Sequence, residues 1–271
     1  QRVSQSWWIL WLVVVPIIVF AGLLQIHALV SIPGHDSQAH VGAGAPAPLE
    51  EWEYTLNALP SLLPYEAQDR GLAYTGSGER MQGFVSKLLR GQPVKVVTMG
   101  GSTTAGRGAY RGRPYPTRVG EWLDRTFPGA NHTVVNIGMG ATSSTLFSVC
   151  NEALIPRDAD LYVLEFAVND RWWDDMESAA RKEFELLLRW LLRLPATSPE
   201  SRPPAKSPFS PYSPDRNSTL AAMAAAPAQP ALPAVALLMQ FSLFVSRARF
   251  HNSAERDLGT IAQYYDVPVL S

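Results

Sequence analysis

Three short stretches bring together residue types that can do chemistry: "GGS" at 100–102, "GMG" at 138–140 and "AVND" at 167–170. Each follows a mostly apolar run: "VKVVTM", "TVVNI" and "LYVLEF". A serine hydroxyl can attack an acyl carbonyl. A glycine lets a backbone N–H approach closely, and an asparagine amide can donate to the oxyanion that develops. The turn around Ser102 alone leaves three readings open: a nucleophile, a phosphate cradle, or a tight loop in which the serine caps a helix.

The spacing removes the competitors. Gly101 and Gly106 stand as far apart as the glycines of a phosphate-binding loop, but Arg107 and Gly108 replace the lysine and the magnesium-binding hydroxyl. At the second stretch, "GMGATS" has Ser143 where a dinucleotide fingerprint needs its third glycine. The nucleophile elbow G-x-S-x-G fails as well, because Thr104 occupies its last position. What remains is a serine just past a strand end, where open α/β sheets bind ligands.

The elements that must position these groups alternate in the manner of an α/β domain. "VKVVTM" suits a central parallel strand, being largely apolar. "YPTRVGEWLDRTF" has helical spacing, "HTVVNI" reads as a second strand, "STLFSVCNEAL" as a second helix and "ADLYVLEF" as a third strand. "DMESAARKEFELLLRWLLRL" predicts an amphipathic helix with Phe184, Leu187, Leu188 and Leu191 on one face. "PAVALLMQF", "SAERDLGTIAQYY" and "VPVLS" predict a strand, a helix and the start of a last strand. Ser102, Gly140 and Asn169 then share the carboxyl edge of one sheet. Asp170 is expected to hold its turn by local hydrogen bonds.

With its three blocks in this order, the chain resembles the SGNH (GDSL-type) hydrolase superfamily over roughly residues 93–271. "LEFAVND" with "GATSS" looks especially like membrane-anchored plant and algal members. The resemblance implies a three-layer α/β/α domain with a mainly parallel, flavodoxin-like sheet. It makes Ser102 the nucleophile, with the N–H groups of Ser102 and Gly140 and the side chain of Asn169 as the oxyanion hole. Gly101 stands in place of the usual aspartate and Ala167 in place of the usual glycine. The family's D-x-x-H, which supplies the general base and its orienting aspartate, has no counterpart. Asp36 and His40 are one residue too far apart, His132 precedes the second strand, and His251 is a weak substitute.

Upstream, Trp7–Leu24 is 18 residues without a charge and can extend to Val30, long enough to span a bilayer core of about 30 Å. Trp7, Trp8 and Trp11 cluster at one end, as interfacial indoles do. Residues 7–30 are expected to be a transmembrane signal-anchor, 31–92 a stalk and N-terminal helical extension, and 93–271 the catalytic-type domain. A Pro/Ser/Ala-rich insertion is expected at 195–230. His35 and His40 fall in the stalk. The sequons at Asn131 and Asn217 fit a lumenal (endoplasmic reticulum or Golgi) or extracellular domain. Opening on Gln1 and ending on "YYDVPVLS", the chain reads as part of a longer protein.

Composition narrows the partners. A formal net charge of -1 gives no nucleic-acid footprint. Cys150, the only cysteine, excludes an internal disulfide and is expected to be a small buried hydrophobe. Neither metal nor organic cofactor is implied. The expectation is a serine esterase acting on an O-acetylated glycan or lipid ester through an acyl-enzyme, with Trp172 and Trp173 as a wall of the substrate site. Lacking a base, the stretch as printed is expected to be nearly inactive. An O-acetyltransferase on the same scaffold and a catalytically dead, membrane-anchored binding module are the alternatives.

Overall fold

The computed structural model describes residues 70–109, 112–195, 232–240 and 253–271. The expected signal-anchor, most of the stalk, the 196–230 part of the insertion, Asn217, His35, His40 and His251 lie outside these residues. Among the described residues no helix is long and apolar enough to cross a membrane.

In chain order the elements are β1 (Leu72–Tyr74), α1 (Glu79–Leu89), β2 (Lys95–Gly100), α2 (Ser102–Ala105), α3 (Tyr115–Thr126) and β3 (Thr133–Asn136). They continue with α4 (Ser144–Val149), α5 (Asn151–Leu154), β4 (Leu161–Glu165), α6 (Ala179–Leu192), β5 (Ala234–Leu238), α7 (Glu255–Tyr264) and β6 (Val269–Leu270). The six strands form one sheet in the order β1-β6-β5-β4-β2-β3. All neighbours are parallel except β1, which runs antiparallel to β6.

Numbered among themselves, the five parallel strands lie in the flavodoxin-like order 2-1-3-4-5. The strand order therefore reverses between β2 and β4, and the crevice beyond their carboxyl ends is the favoured ligand position.

Side-chain alternation builds the layers. Val96, Leu161, Val163, Ala234 and Ala236 face one core, against Phe84 and Leu88 of α1 and Trp122 and Leu123 of α3. Val97, Met99, Tyr162, Leu164, Val235 and Leu237 face the other, against Phe147 of α4, Phe184 and Leu188 of α6 and Leu258 of α7. Both faces of β2, β4 and β5 are covered, which is why these strands read as mostly apolar runs. In α1, Met81, Phe84, Val85 and Leu88 follow helical spacing and are all buried.

Three local expectations are corrected, and one element was not foreseen. The expected helix over "STLFSVCNEAL" breaks at Cys150, whose backbone (φ -103, ψ 21) leaves the α-region and separates α4 from α5. Cys150 is consequently half-buried at the junction and does not fill the core. The helix expected from Asp175 begins at Ala179, because Ser178 caps it by accepting from the Arg181 N–H. Lastly, β1 was not foreseen. Three residues are too few to show a period, and it is held by β6 and by Asp266, which accepts from the Ser77 N–H at 2.8 Å and the Tyr74 hydroxyl at 3.2 Å.

Candidate active site

The turn after β2 is built on two glycines that are needed for close approach and not for unusual dihedral angles. A Cβ on Gly100 would overlap the Thr104 hydroxyl and the Glu165 carbonyl of the neighbouring strand. On Gly101 it would overlap the side-chain amide of Asn169. Beyond them Ser102 opens the single turn α2, closed by the Arg107 N–H donating to the Ser102 carbonyl at 2.8 Å. Gly106, at φ 93, ends it in a conformation that favours glycine.

The second turn continues the β2–β3 pairing past the strand ends, with the Met139 N–H donating to the Gly100 carbonyl at 2.9 Å. Gly138 lies under α2, where a Cβ would come within 2.6 Å of the Ala105 nitrogen. Gly140 is the residue that borders the serine: a Cβ there would be 3.9 Å from the Ser102 Cβ. The next residue, Ala141, has φ 61, a left-handed conformation unusual for a non-glycine.

In the third turn the N–H groups of Asn169 and Asp170 both donate to the Phe166 carbonyl, at 3.0 and 2.8 Å. That folds the chain back and sets the Asn169 amide against Gly101. The Asp170 carboxylate does not bond locally as expected. It accepts from the N–H and hydroxyl of Ser144 at 2.9 and 2.7 Å, fastening the start of α4 to the turn after β4. Burial pushes its pKa up, against the Ser144 bonds and Arg181, which pull it down.

The structure thus brings Ser102, Gly140 and Asn169 to the point where the strand order reverses. Ser102 and Asn169 are half-buried and Gly140 is exposed, so a substrate can reach them. Trp172 and Trp173 follow directly, edge to face with ring centroids 5.5 Å apart, and Trp173 is 63% exposed. Asn131 is exposed in the turn between α3 and β3.

His132 is not brought to the site. Its Nδ1 accepts from the Val94 N–H at 3.4 Å and its Nε2 lies 3.0 Å from the Phe127 carbonyl, which puts the ring proton on Nε2. Both contacts are at the amino end of β2, a strand of six residues or about 20 Å away from Ser102. Among the described residues no group of three or more His, Cys, Asp or Glu side chains could hold a metal ion.

Three supporting residues escaped the sequence reading. Asn136 donates to the Thr104 carbonyl at 2.7 Å and accepts from the Gly138 N–H at 2.9 Å, tying two turns together. Thr104 is fully buried and lies 3.1 Å from both the Tyr115 hydroxyl and Glu165 Oε2. Glu165, also fully buried, ends a strand that is otherwise apolar. For Asn136 and Glu165, a polar residue closing an apolar strand was the available signal.

The model of the GDSL-like Lipase/Acylhydrolase family matches residues 98–259. A comparison with curated proteins gives no match. Among solved structures, a two-domain esterase active on acetylated mannans, co-crystallised with mannopentaose, superposes with a TM-score of 0.54 at 23% identity. That superposition covers 75% of this chain and 44% of the other, so the chain spans less than half of the two-domain protein. AlinE4, an SGNH-hydrolase family esterase, gives 0.40 at 16% identity, over 65% of this chain and 75% of its own.

Proposed function

The chain belongs to the GDSL-like lipase/acylhydrolase family, a family of ester-bond hydrolases, and from that premise we propose that it is a serine esterase working through an acyl-enzyme. The observation that carries the reading is the convergence of Ser102, Gly140 and Asn169 at the reversal point of the sheet. Ser102 Oγ adds to the ester carbonyl while its proton passes to a base. The N–H groups of Ser102 and Gly140 and the Asn169 amide hold the oxyanion. Collapse expels the alcohol, and water then releases the acid from Ser102. His132, the only histidine among the described residues, stands at the opposite end of the sheet and is not that base in this reading.

The substrate proposed is an O-acetylated glycan. An exposed indole four residues after Asn169 offers a flat apolar face to a sugar ring, and the mannan-active esterase shares the fold. Anchoring through residues 7–30, with the domain lumenal or extracellular and Asn131 glycosylated, belongs to the same proposal.

The test is turnover of p-nitrophenyl acetate and acetate release from acetylated mannan by the full-length protein and its Ser102→Ala variant. Loss of about 10³-fold or more in kcat, with the fold retained, is the expected result. Equal turnover by the two proteins would remove Ser102 from the chemistry. A Trp173→Ala variant that raises KM for the glycan and not for p-nitrophenyl acetate would support the substrate class.

A further inference from the structure

Among the buried ionisable groups, one lies directly beneath the catalytic turn without a task in the scheme. Glu165 is the last residue of β4, registered against Gly100 and fully buried beneath the turn that presents Ser102. Its Oε2 accepts from the Thr104 hydroxyl at 3.1 Å, and the backbone N–H groups of Gly101 and Thr104 also bear on the carboxyl and favour its ionised form. The Thr104 oxygen lies 3.1 Å from the Tyr115 hydroxyl in turn, so that a relay from α3 ends on the carboxylate. Oε1 has no hydrogen-bond partner. Gly100 is compatible with this arrangement because a Cβ there would press on Thr104 and sit 3.0 Å from Glu165 Oε2.

A buried carboxyl with an unbonded oxygen is costly, and a hydrophobic residue would fill the same place without that cost. The groups that favour its ionised form flank Ser102 on both sides in sequence, at residues 101 and 104. We propose that Glu165 is a positioning residue for the nucleophile: its ionised carboxyl draws the Gly101 and Thr104 ends of the turn together and so fixes where Ser102 Oγ points.

This inference rests on the esterase reading, and its chemistry has a direction. A carboxylate can only accept, so it suits the donating Thr104 hydroxyl, whereas protonation places a second donor beside it. Burial pushes the Glu165 pKa up to about 7, the Thr104 hydroxyl and the two N–H groups oppose that, and Asp170 adds to it. Tyr115 from α3 and Asp170 from the turn after β4 are the titratable groups that bear on it, and burial raises both of them. The working form is therefore lost as pH falls through neutrality.

The experiment compares full-length wild type, Ser102→Ala, Glu165→Gln and Thr104→Val on p-nitrophenyl acetate from pH 5 to 9, with melting curves at pH 5 and 8. Turnover by wild type and none by Ser102→Ala establishes the parent reading independently. Glu165→Gln is then expected to lose about ten-fold in kcat at pH 8 with KM within two-fold, while its Tm at pH 8 equals or exceeds that of wild type. Lower activity without lower stability separates positioning from a merely structural role. Thr104→Val removes a bond that favours the ionised form, so its acid limb should move to higher pH. A histidine base would not respond in that way. Should Glu165→Gln fail to fold, the Thr104→Val limb decides. Glu165→Gln with wild-type kcat, or Thr104→Val with an unmoved limb, overturns the proposal while leaving Ser102 as nucleophile.

Discussion

Two buried carboxylates bracket β4, Asp160 just before it and Glu165 at its end, and they are treated in opposite ways. Asp160, at the amino end of the sheet, meets the Lys87 ammonium and the Lys95 N–H, both at 2.7 Å. At the carboxyl end, Glu165 is held by neutral donors and keeps one oxygen without a partner. The same contrast runs across the sheet. At the amino end His132 has contacts on both ring nitrogens. At the carboxyl end lie a left-handed alanine at 141 and two acids, Glu165 and Asp170, whose pKa values are raised by burial. One end is arranged for stability. The other carries the strain and desolvation that accompany functional sites.

The contrast can be broken most severely at the amino end. Asp160→Ala leaves the buried Lys87 without that carboxylate and is expected to cost about 3–5 kcal/mol in urea unfolding. The folded fraction should keep its kcat, because nothing there touches the site. Asn169→Ala does the reverse: kcat on p-nitrophenyl acetate should fall about 10²–10³-fold, the range for losing one oxyanion donor, with little change in Tm.

Stability against pH sharpens the comparison without mutation. Glu165 is raised from 4.5 to about 7 in the fold, so between those values the folded state binds the extra proton. Stability from this group is present below pH 4.5 and is lost as pH climbs to about 7, by about 3 kcal/mol in all. Urea melts across that window should show the decline in wild type and not in Glu165→Gln. The smallest effect is expected at Ala141. Glycine there relieves a left-handed alanine but frees the unfolded chain, for a net gain under about 1 kcal/mol by thermal melting.

Much of the site was legible because it sits at strand ends. Ser102, Gly140 and Asn169 each follow an apolar run, so chain order and spacing were enough to put them on one edge. Asp170 was legible as a turn residue, but its partner Ser144 was not, being 26 residues away. Glu165 was hidden for a related reason. Its side chain falls within a run read for hydrophobicity, and its partner Thr104 lies 61 positions earlier. The break at Cys150 and the short β1 were lost because a single dihedral change and a three-residue strand leave no periodic trace.

By itself the sequence determined the segments that become β2 to β6 and the longer helices between them, and that a serine, a glycine turn and an asparagine end three neighbouring strands. Those features depend on local periodicity and on the apolar demand of a sheet covered on both faces. Tertiary structure decided that Gly140 lies beside Ser102, that His132 belongs to the far end, and that Asp160 meets a lysine while Glu165 is held by the Thr104 hydroxyl. Such pairings depend on register and on which groups lose water together, and they are fixed only when β2, β3 and β4 lie side by side.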